Sequence, residues 1–256
     1  MSRNLWTREE LVLTLNLYLK IPFGKIHSNN PVIINLAKLI GRTPSSVSLR
    51  LSNFAACDPY HSARGVVGMR GGIPVCKPIW DEFNNDREKL IYESEIILTT
   101  YENTTIENKF RDLLSDIKQV EGKDISRLMK TRINQNVFRQ IVLANYHSQC
   151  AISEIDEPDL LIASHIIPWS ENEKERMNPE NGICFSALYD KAYDKGLIGI
   201  NTNYEVLIST ALSKKSQLPF FKRFFNDLIG LKLNLPEKYY PRKEFLQYHL
   251  DTIYKG

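Results

Sequence analysis

The chain has 256 residues, 43% of them hydrophobic and 25% charged, a composition that excludes general disorder and leaves room for one large domain or two smaller ones. No apolar run approaches the roughly 20 residues of a membrane span, no basic stretch followed by an apolar one opens the sequence, and Cys57, Cys76, Cys150 and Cys184 form no Cys-x-x-Cys pair, so a cytoplasmic protein with reduced thiols and no membrane association is expected. The net charge of +3 divides along the chain: Gly24 to Ile79 holds seven Lys or Arg against one acid, Cys150 to Ile200 ten acids against four bases, and Ala211 to the end nine bases against four acids.

The first predicted helix starts at Trp6-Thr7-Arg8-Glu9-Glu10. Thr7 can cap it, the two glutamates suit its positive end, and Leu11, Leu13, Leu15 and Leu19 supply its apolar body. Pro22-Phe-Gly24 ends it. Asn30-Pro31 opens a second helix, Val32 to Ile40, closed by Gly41. Thr43-Pro44 caps a third, in which Val47, Leu49, Leu51 and Phe54 are apolar. Helix, short turn and helix make a helix-turn-helix-like pattern, with Arg42, Ser45, Ser46, Ser48 and Arg50 as candidates for a DNA-facing side. A packing hairpin without DNA contact has the same pattern. Arg64 to Gly72, with four glycines and two arginines, reads either as a loop that approaches a phosphate backbone or as a plain connection.

Trp80 to Tyr101 is helical in character, and Glu102-Asn-Thr-Thr105 marks a break. From Ile106 to about Asn134 the spacing of Phe110, Leu113, Leu114, Ile117 and Val120 predicts a connecting helix, with a linker around Gly122. Gln135 begins a further helix that runs through Tyr146 toward Cys150. The expected division is therefore 1–100, a helical DNA-recognition domain; 101–134, a connector; and 135–256, a domain that carries the chemistry.

That chemistry rests on two segments, Ala163-Ser-His-Ile-Ile-Pro-Trp169 and Asn181-Gly-Ile-Cys-Phe-Ser-Ala-Leu-Tyr-Asp190-Lys-Ala-Tyr-Asp194. Leu160 to Ile167 is apolar and partly β-branched, which predicts a buried strand with His165 near its end. Asn181-Gly182 is a strong turn signal. Ala187 to Lys195 reads as a short helix closed by Gly196, on which Asp190 and Asp194 stand at i and i+4 and share a face. A histidine base, a turn asparagine and two hard oxygen ligands are the parts of a metal-dependent phosphodiesterase. Each feature alone has an ordinary reading: a core histidine, a turn, a solvated helix face. Basic flanks around an acidic centre suit a nucleic-acid binder whose centre holds a cation, although scattered surface charge gives the same tally.

In combination, these residues resemble the HNH endonucleases and their ββα-metal finger, over roughly 135–209. The resemblance implies an α+β fold, with a mostly helical N-terminal domain and a C-terminal ββα-metal nuclease domain. It also implies that His165 is the general base, that Asn181 stabilises the loop and orients the histidine, and that Asp190 and Asp194 bind a divalent cation. Three departures stand out. Asp190 replaces a frequent histidine, which favours Mg2+ or Mn2+. Ser164 stands where an acidic or histidine ligand is common and would be a weak ligand. Only Cys150 and Cys184 lie near the positions of a structural zinc, so no such zinc is expected. Arg176, Lys191 and Lys195 are candidates for phosphate contacts, or solvated charges that balance nearby acids. His249 is expected to be structural.

The N-terminal segment Trp6 to Asp58 is similar to that of some bacterial HNH restriction endonucleases. This similarity implies a target-recognition domain ahead of the nuclease, with modified cytosine as one target class. An aromatic pocket would then be needed for a flipped base, and Trp6, Tyr60 and Trp80 are the aromatics in view. The expected partner is double-stranded DNA. Since one such site cuts one strand, a homodimer is expected as well. The competing expectation is a non-cleaving DNA-binding regulator that keeps a degenerate HNH fold.

Overall fold

The computed structural model describes residues 5–69, 71–112 and 123–256, with backbone alone at 123–126. The fold is α+β, with two small antiparallel sheets among helices in the described residues. The chain divides into two compact units, Met1–Val137 and Phe138–Gly256.

In the first unit, α1 (Arg8–Lys20) starts at a complete capping box: Glu10 N–H donates to Thr7 Oγ1 at 3.2 Å, and Thr7 N–H donates to Glu10 Oε2 at 2.8 Å. Every residue from Glu10 to Leu19 is buried, so α1 is enclosed by its neighbours instead of offering one apolar stripe. It packs against α3 (Pro44–Cys57), α5 (Ile73–Phe83) and α6 (Arg87–Tyr101). Tyr18 donates to Asp58 Oδ2 at 2.6 Å across this core, and its ring meets Trp80 and His61 edge-on.

The hairpin of α2 (Pro31–Leu39) and α3 is present, and a one-turn α4 (Pro59–Ser62) follows it. Gly41, at φ +67°, ends α2, with Arg42 N–H donating to Ala37 O at 2.8 Å. That left-handed turn is the reason for glycine there.

Two expectations change. The helical stretch from Trp80 to Tyr101 is two helices, because α5 already starts at Ile73 and Asp86 caps a new helix by accepting from Lys89 N–H. Gln135 begins nothing, since α8 runs unbroken over Lys123–Asn145. After α6 comes a short α7 (Ile106–Lys109), capped by Thr105. Leu113, Leu114, Ile117, Val120 and Gly122 lie outside the described residues.

In the second unit, β1 (Leu161–His165) pairs antiparallel with β2 (Gly182–Ser186) in the register Leu161↔Ser186 to His165↔Gly182. The helix α9 (Ala187–Asp194) follows without a gap and packs on both strands. Gly196 (φ +66°) closes α9, with Leu197 N–H on Ala192 O at 2.8 Å. A second hairpin, β3 (Ile198–Ile200) with β4 (Val206–Ile208), leads to α10 (Thr210–Ser213) and α11 (Pro219–Phe224). The last helix, α12 (Lys243–Thr252), packs on β3.

Candidate active site

His165 ends β1. Its ring lies flat on Phe138, with centroids 3.9 Å apart and planes at 16°, and meets Trp169 edge-on at 5.4 Å. Its Nε2 is 3.0 Å from the carbonyl oxygen of Arg176. A carbonyl only accepts, so Nε2 carries the proton and Nδ1 presents a lone pair. Nδ1 has no hydrogen-bond partner among the described residues. Burial lowers the pKa of the imidazole, partly opposed by the Arg176 carbonyl, which favours the protonated ring. Both effects of position, a fixed tautomer and a disfavoured cation, suit a base at neutral pH.

Asn181 is 1% exposed and ties off the loop between the strands. Its Oδ1 accepts from Ile167 N–H at 2.8 Å, and its Nδ2 donates to the carbonyls of Ile167 and Glu175, each at 3.2 Å. Its own carbonyl accepts from Ile166 N–H at 3.0 Å. With these polar groups engaged inside the protein, Asn181 holds the loop that presents the Arg176 carbonyl to His165. Arg242 grips the same loop, with Nη1 3.8 Å from Glu175 and Nη2 bonded to Glu180.

Asn181-Gly182 is not a left-handed turn. Asn181 ends a 3-10 turn, Pro179–Asn181, and Gly182 is extended at φ −126°. Glycine is needed there because a Cβ would lie 2.5 Å from Val142 Cγ2 and 2.8 Å from Phe138 Cζ. The bare strand lets α8 close on His165.

Side chains alternate along a strand, so Ser164 and His165 leave β1 on opposite faces. Ser164 is buried beside Asp190 of α9 and favours its ionised form, though its Oγ reaches no partner in good hydrogen-bond geometry among the described residues. Burial raises the pKa of the Asp190 carboxyl, and the charge of Asp194 adds to the rise. Asp194 is exposed as a residue, but partial desolvation of its carboxyl raises its pKa, while Lys191 and Lys195 oppose this. Among the described residues, no three His, Cys, Asp or Glu side chains converge as a metal cluster. The arrangement expected from sequence, a cation held by Asp190 and Asp194 and facing the histidine, therefore narrows to two carboxylates on α9 and the orphaned Ser164 hydroxyl. That set fits a hard cation that keeps water and takes phosphate oxygens as further ligands.

The other predicted residues sit differently. Lys191 and Lys195 are exposed on α9. The Arg176 side chain folds back: its Nε donates to Trp169 O at 2.6 Å, and the guanidinium lies 5.4 Å from the Trp169 ring. Its backbone carbonyl serves the site instead. In the first unit, Arg42 binds the buried Glu10 carboxylate through Nε at 2.8 Å and Nη2 at 2.7 Å. Arg42 and Arg50 both lie over the Trp6 ring, at 4.9 and 4.8 Å, and Arg50 Nη1 reaches Gly72 O at 3.3 Å. Neither arginine forms an open DNA-facing side, because each is tied into its own unit. Ser45 is exposed, and Ser46 and Ser48 are half-buried.

The glycine-rich loop folds onto the buried Asn53, whose Oδ1 accepts from Met69 N–H at 2.9 Å. Of the aromatics in view, Trp6 meets the two arginines, Tyr60 meets His61 and Arg64, and Trp80 is buried on Tyr18.

His249 is stacked on Tyr193 at 3.7 Å, with Nε2 3.1 Å from Tyr193 O, and burial pushes its pKa down to about 4. All four cysteines are free. Cys150 Sγ accepts from Ser186 N–H at 3.1 Å, and burial pushes the Cys184 thiol up to about 12. Phe138 and the Arg176 carbonyl are contributors the sequence did not reveal, whereas Trp169 ends the histidine segment itself. Phe138 lies 27 residues before His165, and a backbone carbonyl has no residue signature.

Residues 150–201 match the family model described as HNH endonuclease. No curated protein matches the chain. The chain thus carries an HNH endonuclease domain, the domain of a nuclease that hydrolyses phosphodiesters.

Proposed function

We propose that this nuclease is a divalent-metal-dependent DNA endonuclease of restriction type, with His165 as its general base. The observation that carries the reading is the state of His165: Nε2–H is held by the Arg176 carbonyl at 3.0 Å, and Nδ1 is left free and basic. Nδ1 takes a proton from a water aligned with the scissile phosphorus, and Phe138 and Trp169 keep the ring from turning. Asn181 acts as a positioning residue through the loop. Asp190, with Asp194 and Ser164, would hold Mg2+ or Mn2+, which supplies charge neutralisation on the phosphate and the leaving oxygen when bound. Lys191 and Lys195 stand ready for backbone phosphates.

Action on both strands requires two such sites, so a homodimer on DNA belongs to the reading, as does a cytoplasmic location. Among the described residues, no helix is long and apolar enough to cross a membrane. Recognition of modified cytosine rests on the sequence similarity of residues 6–58 alone.

The test is nicking of methylated and unmethylated supercoiled plasmid in Mg2+ or Mn2+, with and without EDTA. Metal-dependent nicking that falls by about 10²–10⁴ in His165→Ala is expected. No nicking of any plasmid, alongside intact DNA binding, would favour the regulator instead.

A further inference from the structure

The segment from Thr210 to Phe225 carries four cations, Lys214, Lys215, Lys222 and Arg223, and no Asp or Glu. All four side chains are exposed, and none has an ion-pair partner among the described residues. The segment is held firmly. Phe221 of α11 and Phe225, which caps it, are buried, at 2% and 5% exposure. Tyr189, next to Asp190 on α9, donates to Phe224 O at 3.0 Å and meets the Phe225 ring edge-on. The helix α11 is thereby fixed to the helix that bears the two carboxylates.

The same helix exposes Phe220 and Phe224, each 40% accessible. They stand at i and i+4 and so share a side of the helix. Phe221 and Phe225 fill the core beneath them, and Phe220 touches it only edge-on, 6.4 Å from the Phe225 ring. The Arg223 guanidinium lies 5.4 Å from the Phe224 ring.

We propose that the surface of α10 and α11, built from Lys214, Lys215, Lys222 and Arg223 with Phe220 and Phe224, is the DNA-contact surface that seats the strand beside the α9 site. Aromatic rings interleaved with unpaired cations match a polyanion whose sugars and bases offer apolar faces. A second copy of this chain fits poorly, since a twofold contact through this face would bring together two identical sets of unpaired positive charge. The proposal rests on the nuclease reading and names where its substrate lies.

The experiment measures fluorescence anisotropy of a labelled DNA duplex with the full chain, in EDTA, over a range of salt concentrations. Three proteins are compared, each also carrying His165→Ala: the parent; a quadruple variant with Lys214→Ala, Lys215→Ala, Lys222→Ala and Arg223→Ala; and a control with Lys232→Ala, Lys243→Ala and Lys255→Ala. Circular dichroism checks that each is folded. The quadruple variant is expected to bind about 10–100-fold more weakly, with a salt slope about 2–4 shallower, since each phosphate contact contributes about 0.9. The control is expected to keep the parent's slope. Phe220→Ala with Phe224→Ala is expected to weaken binding with little change of slope.

An unchanged slope in the quadruple variant, or an equal loss in the control, overturns the proposal. A concentration-dependent dimer that the two Phe substitutions abolish while DNA binding stays intact also overturns it, in favour of a self-association face. Nicking by the unsubstituted chain separates the two readings. If it neither nicks nor binds DNA, the nuclease reading fails; if it nicks while the quadruple variant binds normally, this surface alone fails.

Discussion

The imidazole of His165 and the ring of Phe138 lie face to face, 3.9 Å apart, although one ends a strand and the other sits within α8. Burial, to which this stack contributes one face, lowers the pKa of the base from the usual histidine value. The neutral form therefore persists to more acidic pH than in a solvated histidine. The acid limb of kcat/KM for plasmid nicking is expected below pH ~6.5, the unperturbed value. Phe138→Ala admits water and should move that limb upward, with activity falling as the ring loses its rest. A pH–rate profile of both proteins checks this; coincident limbs would remove the stack from the account.

Gly182 makes that stack possible. A methyl group in its place would meet Val142 and Phe138 at 2.5 and 2.8 Å, and a packed interior yields little to such overlap. Gly182→Ala is expected to destabilise by about 1–3 kcal/mol and to lower activity further than the fraction unfolded explains, because Phe138 must shift. Denaturant unfolding alongside nicking measures both. Adding Phe138→Leu should recover part of the stability.

These two residues also mark how far the sequence could be read. The strand, the helix of Ala187 to Asp194 and the His165–Asn181 pair were legible, because periodicity, glycine closure and motif spacing are local signals. Asn181-Gly182 marked the turn that ends at Asn181, but a dipeptide cannot reveal that its glycine also answers a helix some forty residues upstream. At Arg176 composition offered only a charge, whereas the structure also brings its carbonyl to His165. At Trp80 to Tyr101 the helical character was right, but the cap at Asp86 divided it. In the first unit, the positive tally counted arginines that are consumed internally.

Arg42 is the clearest of these. Its guanidinium neutralises Glu10, and the two side chains are 9% and 8% exposed. Arg42→Ala strands a buried carboxylate, so a loss of about 3–5 kcal/mol is expected. Arg42→Ala with Glu10→Gln should recover much of it. If Arg42 were a phosphate contact, Arg42→Ala would instead weaken DNA binding at unchanged thermal stability, and a melting curve beside a binding isotherm decides between them.

Asp190 calls for the opposite outcome from a charge removal. Its carboxyl pKa is raised by burial and by Asp194, only partly opposed by Ser164 and Lys191, which means the ionised form is under-compensated in the metal-free protein. Asp190→Asn should therefore leave the melting temperature in EDTA unchanged or higher. With Mn2+ at about 100 times its dissociation constant, the unsubstituted protein should gain about 2.7 kcal/mol, and Asp190→Asn should gain far less. Differential scanning fluorimetry with and without Mn2+ reads both effects, and an equal metal-induced rise in the two proteins would move the cation elsewhere.

His249 gives the unit a pH dependence that is independent of catalysis. Stacked on Tyr193 and 1% exposed, it is pushed down to about 4, whereas the unfolded chain binds the proton near ~6.5. Between those values the unfolded state holds more protons, so stability is full above pH ~6.5 and falls as pH drops toward 4. The gap corresponds to a loss of about 3 kcal/mol across that window. His249→Phe retains the stack but removes both the titration and the bond to the Tyr193 carbonyl. It should cost about 1 kcal/mol at pH 7 and flatten the fall from pH 6.5 to 4 relative to the unsubstituted protein. Parallel urea titrations over that range test this, because carboxylates common to both proteins cancel in the difference; identical slopes would mean His249 is not the group that titrates.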